Sequence, residues 1–204
     1  VSHQITDLQV LERLYGSPAA ASVRKEIDYI HPHYRAFIDA APFVALATSG
    51  PDGMDVSPRG DPAGFVQVMD EKTLLLPDRR GNNRIDSLRN ILADPHVALL
   101  FLIPGVGETL RVNGRAAILA DPALLARFAV DGKEPRTVLR IQVDQVFFQC
   151  SRALLRSRLW DRGTQLDRGA VPTAGTILKD LSDGELGGQQ YDDELPGRVR
   201  TTMY

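Results

Sequence analysis

Alternating apolar and polar positions dominate the middle of the chain. Phe43-Val44-Ala45-Leu46-Ala47-Thr48 leads into the turn residues Gly50-Pro51-Asp52-Gly53 and then Met54-Asp55-Val56-Ser57-Pro58-Arg59. Two such runs around a Pro/Asp/Gly turn predict a β-hairpin. A second hairpin is predicted from Phe65-Val66-Gln67-Val68-Met69, a polar turn at 70–72 and Thr73-Leu74-Leu75-Leu76-Pro77. Next, Ile85, Leu88, Ile91 and Leu92 share one helical face until Asp94-Pro95 stops the helix. Residues 96–103 and 109–119 read as long strands joined through Pro104-Gly105-Val106-Gly107. Asp121-Pro122 opens a short helix to about residue 128, with Asp121 as cap and Pro122 in the first helical position. Residues 138–148 form a last strand, in which Leu139, Ile141 and Val143 alternate with Arg140, Gln142 and Asp144. One or two helical turns follow over 151–159.

The period before residue 41 is helical. Leu8, Leu11 and Leu14 fit one face, Gly16-Ser17-Pro18 ends that helix with Ser17 as the next cap, and helices over 19–30 and 34–40 follow. Beyond Trp160 the pattern fades into a Gly187-Gly188 stretch and the acidic Asp192-Asp193-Glu194. The predicted organisation is therefore an N-terminal helical arm (1–40), a barrel domain (41–160) and an irregular C-terminal tail (161–204) packing on the barrel or on a partner subunit. Hairpin-linked strands with one interrupting helix favour a closed antiparallel barrel over a sandwich, which demands more regular strand spacing. The fold class is mainly β with flanking helices.

Composition narrows the function. The 204 residues carry 24 basic against 26 acidic side chains and are 43% hydrophobic, which excludes disordered and collagenous classes. A net charge of -2 argues against nucleic-acid binding, where a basic domain is expected. Cys150 is the one cysteine, so no intrachain disulfide forms, and the expected location is the reducing cytoplasm. No apolar run reaches the roughly 18–20 residues of a membrane span, and no signal peptide is expected. His31-Pro32-His33 is the one local histidine pair, short of the ligands a zinc site requires, and reads as a loop or helix-end pair.

Of the 24 basic residues only Lys25, Lys72, Lys133 and Lys179 are lysine; the other twenty are arginine. Arginine's planar fork suits phosphate and carboxylate, and two clusters stand out. In Pro77-Asp78-Arg79-Arg80-Gly81-Asn82-Asn83-Arg84, arginines surround a glycine where a strand ends and a helix begins. Unpaired N–H groups and the positive end of a helix dipole make such a place an anion site. The Asn pair is alternatively a helix cap, and the arginines a solvated loop. Arg59, in Ser57-Pro58-Arg59-Gly60-Asp61, either reaches a cleft at the barrel end or pairs with Asp61. In the second cluster Arg152 and Arg156 share a helical face, with Arg158 and Trp160 just beyond. Arginine beside an indole suits an anionic aromatic ligand or a dimer interface.

Taken in order, Ala41-Pro42-Phe43-Val44-Ala45-Leu46-Ala47-Thr48, Ser57-Pro58-Arg59-Gly60-Asp61, Pro77 to Arg84, Leu110-Arg111-Val112-Asn113-Gly114-Arg115-Ala116 and Arg156-Ser157-Arg158-Leu159-Trp160 resemble the pyridoxamine 5'-phosphate oxidase-like family, across about residues 34 to 160. The resemblance implies an FMN-binding split β-barrel that forms a homodimer, with FMN in two clefts between subunits. It puts Arg80, Asn82, Asn83 and Arg84 at the FMN phosphate. Ser57 then falls beside the flavin ring and Arg59 at the ring or substrate edge. Thr109 and Arg111 start the strand lining the other wall, while Arg156, Arg158 and Trp160 reach the cofactor or substrate from the partner chain. The family's arginine–x–histidine substrate element has no counterpart, since no histidine follows His96 and the segment reads Arg156-Ser157-Arg158. The chain thus reads as a divergent branch and not a genuine pyridoxamine-phosphate oxidase.

The function expected on this basis is an FMN-dependent oxidoreductase acting on an unassigned small molecule, without nucleic-acid or membrane partners. Flavin chemistry asks little acid–base work of the protein. The same barrel also serves a non-catalytic flavin carrier or sensor, or one binding deazaflavin F420 or haem.

Overall fold

The computed structural model describes residues 3–204; the first two residues of the predicted arm lie outside the described residues. Asp7 caps helix α1 (Leu8–Tyr15), its carboxylate accepting from the N–H groups of Gln9 at 2.7 Å and Val10 at 3.3 Å. Helix α2 (Ala20–Arg24) is shorter than the 19–30 stretch predicted, and its cap position is Ala19, not Ser17. The shortening has a tertiary cause: Ile27 leaves the helix to exchange two backbone hydrogen bonds with Val146, at 3.0 and 2.7 Å. Helix α3 (Pro32–Ala40) starts with proline in its first turn, and His31 caps it through Nδ1, which accepts from the His33 N–H at 3.2 Å. The two histidines thus belong to a helix start.

Seven strands follow: β1 (Phe43–Gly50), β2 (Gly53–Gly60), β3 (Gln67–Asp70), β4 (Thr73–Asp78), β5 (His96–Leu102), β6 (Thr109–Leu119) and β7 (Thr137–Gln149). Helix α4 (Asp86–Ala93) links β4 to β5, and α5 (Pro122–Arg127), capped by Asp121, links β6 to β7. Both predicted hairpins form, the first in continuous register from Phe43↔Gly60 to Gly50↔Gly53. All pairs are antiparallel, in the order β2-β1-β5-β6-β7-β4-β3.

This sheet is not the hydrogen-bonded closed barrel predicted from the pattern. Strands β2 and β3 are free edges, and Pro58 within β2 removes a donor from one of them. The sheet nevertheless curls around one core, to which β1 near one edge contributes Val44 and Leu46, and β4 near the other contributes Leu74 and Leu76. Tyr34 and Ile38 of α3 and Ile91 of α4 pack into the same core. On the outside of β4 and β7, Phe128 covers Leu75 and Val138. The architecture is thus an antiparallel split barrel with flanking helices.

Beyond β7 lie α6 (Arg152–Ser157), single 3-10 turns at Arg162–Thr164 and Arg168–Ala170, and helices α7 (Ala174–Leu181) and α8 (Gly188–Thr202). The expectation of an irregular tail is therefore corrected: much of it is a helical hairpin. A long-range contact orders it, since the Asp192 carboxylate accepts from the Gly175 N–H at 2.7 Å and from the Thr173 hydroxyl. Those hydrogen bonds, the hydroxyl's first, hold the Asp192 carboxyl below the usual carboxylate range.

A bulge in the β6–β7 ladder sets one glycine against backbone. Register shifts between Asn113 and Gly114, and a Cβ on Gly114 would lie 2.2 Å from the Gln142 carbonyl oxygen. Gly114→Ala is therefore expected to lower unfolding stability by about 2 kcal/mol, as overpacking does. Urea denaturation checks this; a variant within about 0.5 kcal/mol of the parent contradicts the packing described.

Candidate functional site

The inner faces of β1 and β2 change character where the sheet splits. Val44, Leu46 and Thr48 of β1 lie opposite Arg59, Ser57 and Asp55 of β2, so an apolar row on one strand continues as a polar row on the next. Helix α4 covers that polar row. The Ser87 hydroxyl donates to Asp55 at 2.9 Å and lies 3.0 Å from the Ser57 hydroxyl, while Arg59 Nε donates to Ser57 Oγ at 3.3 Å.

Two ion pairs then cross from the end of β2 to the end of β4. Arg59 pairs with Asp78, and Arg79 Nε donates to Asp61 at 2.7 Å. The alternative raised from the sequence, Arg59 with Asp61, does not form. The Asp61 side chain is only 2% exposed and that of Arg79 16%. Arg79 also donates to the Phe128 carbonyl at 2.6 Å, and the Tyr204 hydroxyl donates to Asp61 at 2.7 Å. That bond, with burial second, holds the Tyr204 phenol above its ordinary pKa, because the carboxylate disfavours a second negative charge.

Between these pairs and α4 lies a cleft of about 570 Å³. Ser57, Arg59, Arg80, Asn82, Asn83 and Arg84 all line it, so the structure brings together six of the eleven residues singled out from the sequence. Its walls hold five arginines (Arg59, Arg79, Arg80, Arg84 and Arg136) against three aspartates (Asp55, Asp78 and Asp86), an excess that suits an anion. Arg84 pairs with Asp86 at 2.7 Å, a hydrogen bond that raises the guanidinium pKa further and keeps it charged. Arg80 makes no hydrogen bond or ion pair among the described residues.

The Asn pair does not cap α4. Asn82 Oδ1 accepts from the Arg84 N–H at 3.1 Å, and Asn83 Oδ1 accepts from Arg136 at 3.1 Å. The cap position is Ile85, in the left-handed region at φ 54°, and no side chain accepts from the helix's first N–H groups. Those donors open on the cleft, which Ile85, Asp86 and Ser87 line. A second orphan borders the same space: Thr137 lines the cleft, and its buried Oγ1 has no hydrogen-bond partner. Charge excess, free backbone donors and an orphaned hydroxyl together fit a phosphate monoester.

Sequence reasoning missed Arg136, Thr137 and Ser87. Arg136 and Thr137 reach the cleft because Thr137 pairs with Asp78 across β4 and β7, a pairing no local motif encodes. The other five candidates lie elsewhere. Thr109 and Arg156 line a separate cleft on the outside of the sheet, with Cys150 and Arg152. Arg111 stacks on the Phe147 ring with 4.6 Å from Cζ to the centroid, and its buried Nε has no partner. Arg158 donates to Asp161 through Nε at 3.0 Å, and Trp160 Nε1 donates to the Val106 carbonyl at 2.8 Å. No cluster of three or more His, Cys, Asp or Glu that could hold a metal occurs among the described residues.

Residues 30–150 match the family model described as pyridoxamine 5'-phosphate oxidase. The match spans more than half of the chain, which therefore belongs to that family. A search of curated proteins found no match. Among solved structures, HupZ of Group A Streptococcus is 20% identical with a TM-score of 0.48, covering 60% of this chain and 95% of that one. A putative pyridoxamine 5'-phosphate oxidase from Lactobacillus delbrueckii is 21% identical with a TM-score of 0.46, over 59% and 95%. An FAD-binding protein from Mesorhizobium loti is 18% identical with a TM-score of 0.42, over 57% and 89%.

Asp61→Asn is expected to cost about 3 kcal/mol of stability, because it leaves the Arg79 charge buried without its anion. Equilibrium unfolding in urea measures this; a loss below about 1 kcal/mol contradicts the role given to the pair.

Proposed function

We propose that the chain is an FMN-dependent oxidoreductase, with the flavin phosphate held in the cleft at the start of α4. The carrying observation is the convergence there of Arg80, Arg84, Arg136, the Ser57 and Thr137 hydroxyls and uncapped backbone N–H groups, in a chain of the pyridoxamine 5'-phosphate oxidase family. Each group has a distinct task. Arg80, free of internal partners, supplies charge-assisted hydrogen bonds to the phosphate. Arg136, steadied by Asn83, adds a second cation from the start of β7. Arg59, held by Asp78 and Ser57, presents a fixed positive charge at the ring or substrate edge. Bound flavin supplies the two-electron chemistry; the barrel supplies orientation and the local field.

The reading includes a homodimer. Met54 and Val56, on the outward face of edge strand β2, are 84% and 66% exposed, an apolar surface that a second copy would cover. Thr109, Arg111, Arg156, Arg158 and Trp160 lie outside the phosphate cleft of their own chain, and a partner would carry its own set toward the cofactor. The segment Arg156-Ser157-Arg158 lacks histidine, so the substrate is a small molecule other than pyridoxamine phosphate.

Titration of cofactor-free protein with FMN, read by flavin fluorescence, tests the binding step. The parent is expected to bind, and Arg80→Ala to weaken binding by about 10- to 100-fold without changing thermal stability. Failure of the parent to bind FMN, or equal affinity in the variant, contradicts the assignment. Oxidation of reduced nicotinamide by the FMN-loaded protein separates an enzyme from a carrier.

A further inference from the structure

The polar row beneath α4 is a directed chain of hydrogen bonds. Its members are firmly placed. Asp55 lies opposite Thr48 in the β1–β2 register, and one turn beyond Ser87 the Asn90 side chain donates to the buried Thr48 hydroxyl at 3.1 Å. Ser87 is itself buried. The two ends of the chain have fixed roles. Arg59 Nε can only donate, and it does so to Ser57 Oγ at 3.3 Å. The Asp55 carboxylate can only accept, and it takes the Ser87 proton at 2.9 Å.

Between them, the Ser57 and Ser87 hydroxyls lie 3.0 Å apart, a contact that either could donate by distance alone. A hydroxyl has one proton, and that of Ser87 is committed to Asp55. Ser57 is therefore the donor to Ser87. Toward a ligand in the cleft that it lines, the Ser57 hydroxyl has only its remaining lone pair to offer. Without an acceptor at position 55, the Ser87 proton is free to turn to Ser57, and the Ser57 proton to turn to the ligand.

We infer that Asp55 is a positioning residue: acting through Ser87, it makes Ser57 a hydrogen-bond acceptor toward bound flavin, so that Ser57 receives an N–H or O–H of the ligand. This rests on the flavin reading above and divides the cleft by chemistry. Arg80, Arg84 and Arg136 suit the phosphate, whereas Ser57 suits a part of the flavin that donates. The oxidised ring has one such N–H, at N3, and the ribityl chain has hydroxyls. Asp55 also shares the cleft with Arg84, so on charge alone its removal would strengthen the binding of a phosphate. The chain predicts the opposite.

Titrations of cofactor-free parent, Asp55→Ala, Asp55→Asn and Ser87→Ala with FMN, read by flavin fluorescence, test it. Asp55→Ala and Ser87→Ala are expected to bind FMN about fivefold more weakly, the scale of one hydrogen bond. Asp55→Asn keeps an oxygen that accepts from Ser87, and is expected to bind at least as tightly as the parent. FMN methylated at N3 identifies the donor. If Ser57 takes the ring N–H, that ligand binds the parent about fivefold more weakly and loses nothing further in Asp55→Ala. If Ser57 takes a ribityl hydroxyl, the methylated ligand follows FMN throughout. The two alanine variants truncate different strands of the argument, one on β2 and one on α4, and unchanged melting temperatures verify that they fold. Tighter or unchanged FMN binding in Asp55→Ala overturns the positioning role and leaves the flavin reading standing. An equal loss in Asp55→Asn and Asp55→Ala also overturns it. Failure of the parent to bind FMN removes both readings.

Discussion

Two crossed ion pairs, Arg59 with Asp78 and Arg79 with Asp61, hold together the ends of two strands that four others separate in the sheet. Backbone pairing alone leaves β2 and β4 as distant members of a ribbon; the side chains make that ribbon into a split barrel. The pairs are shielded from water, so each charge depends on its partner, and neither residue tolerates the loss of the other cheaply. The seam also sets the chemistry on either side. It consumes Arg79 and much of Arg59 in structure and leaves the neighbouring Arg80 free, and it brings α4 over a polar row that would otherwise lie at an open sheet edge. A barrel closed by backbone hydrogen bonds would have no such cleft.

Much of the fold was legible because the barrel strands obey a period of two. Val44 and Leu46, Val97 and Leu99, and Ile141 and Val143 alternate as a half-buried sheet requires, and Gly50 to Gly53 announces its turn. The tail was not legible, for a physical reason. Helix α8 contains Pro196 as well as Gly188 and Gly197, and its order rests on Asp192 reaching Gly175 of the preceding helix and Thr173 at that helix's cap. A local pattern records propensity, and here a contact across some seventeen residues overrides it. The shortened α2 has the same origin in the Ile27–Val146 bridge.

The site was legible in part. Arg80 to Arg84 stood out because arginines, asparagines and a glycine between a strand and a helix describe an anion site in one stretch of chain. Ser57 and Arg59 followed from the ordered resemblance. Arg136 and Thr137 could not, since they enter the cleft through β7's pairing with β4. The roles within the cluster were also hidden: adjacent Arg79 and Arg80 look alike in sequence, yet one is a buried structural cation and the other a free donor. Distribution of partners, not residue type, separates them. The excess of arginine over lysine gains meaning at these positions, where planar guanidinium groups both form the seam and line the cleft beside it.

The most direct test of the account is the visible absorption spectrum of the natively purified protein, with the mass of whatever small molecule is released from it on denaturation. A yellow protein with flavin absorption bands, releasing a flavin nucleotide, is the predicted result. A colourless protein that acquires no such bands on addition of flavin, or one with a haem spectrum, contradicts it.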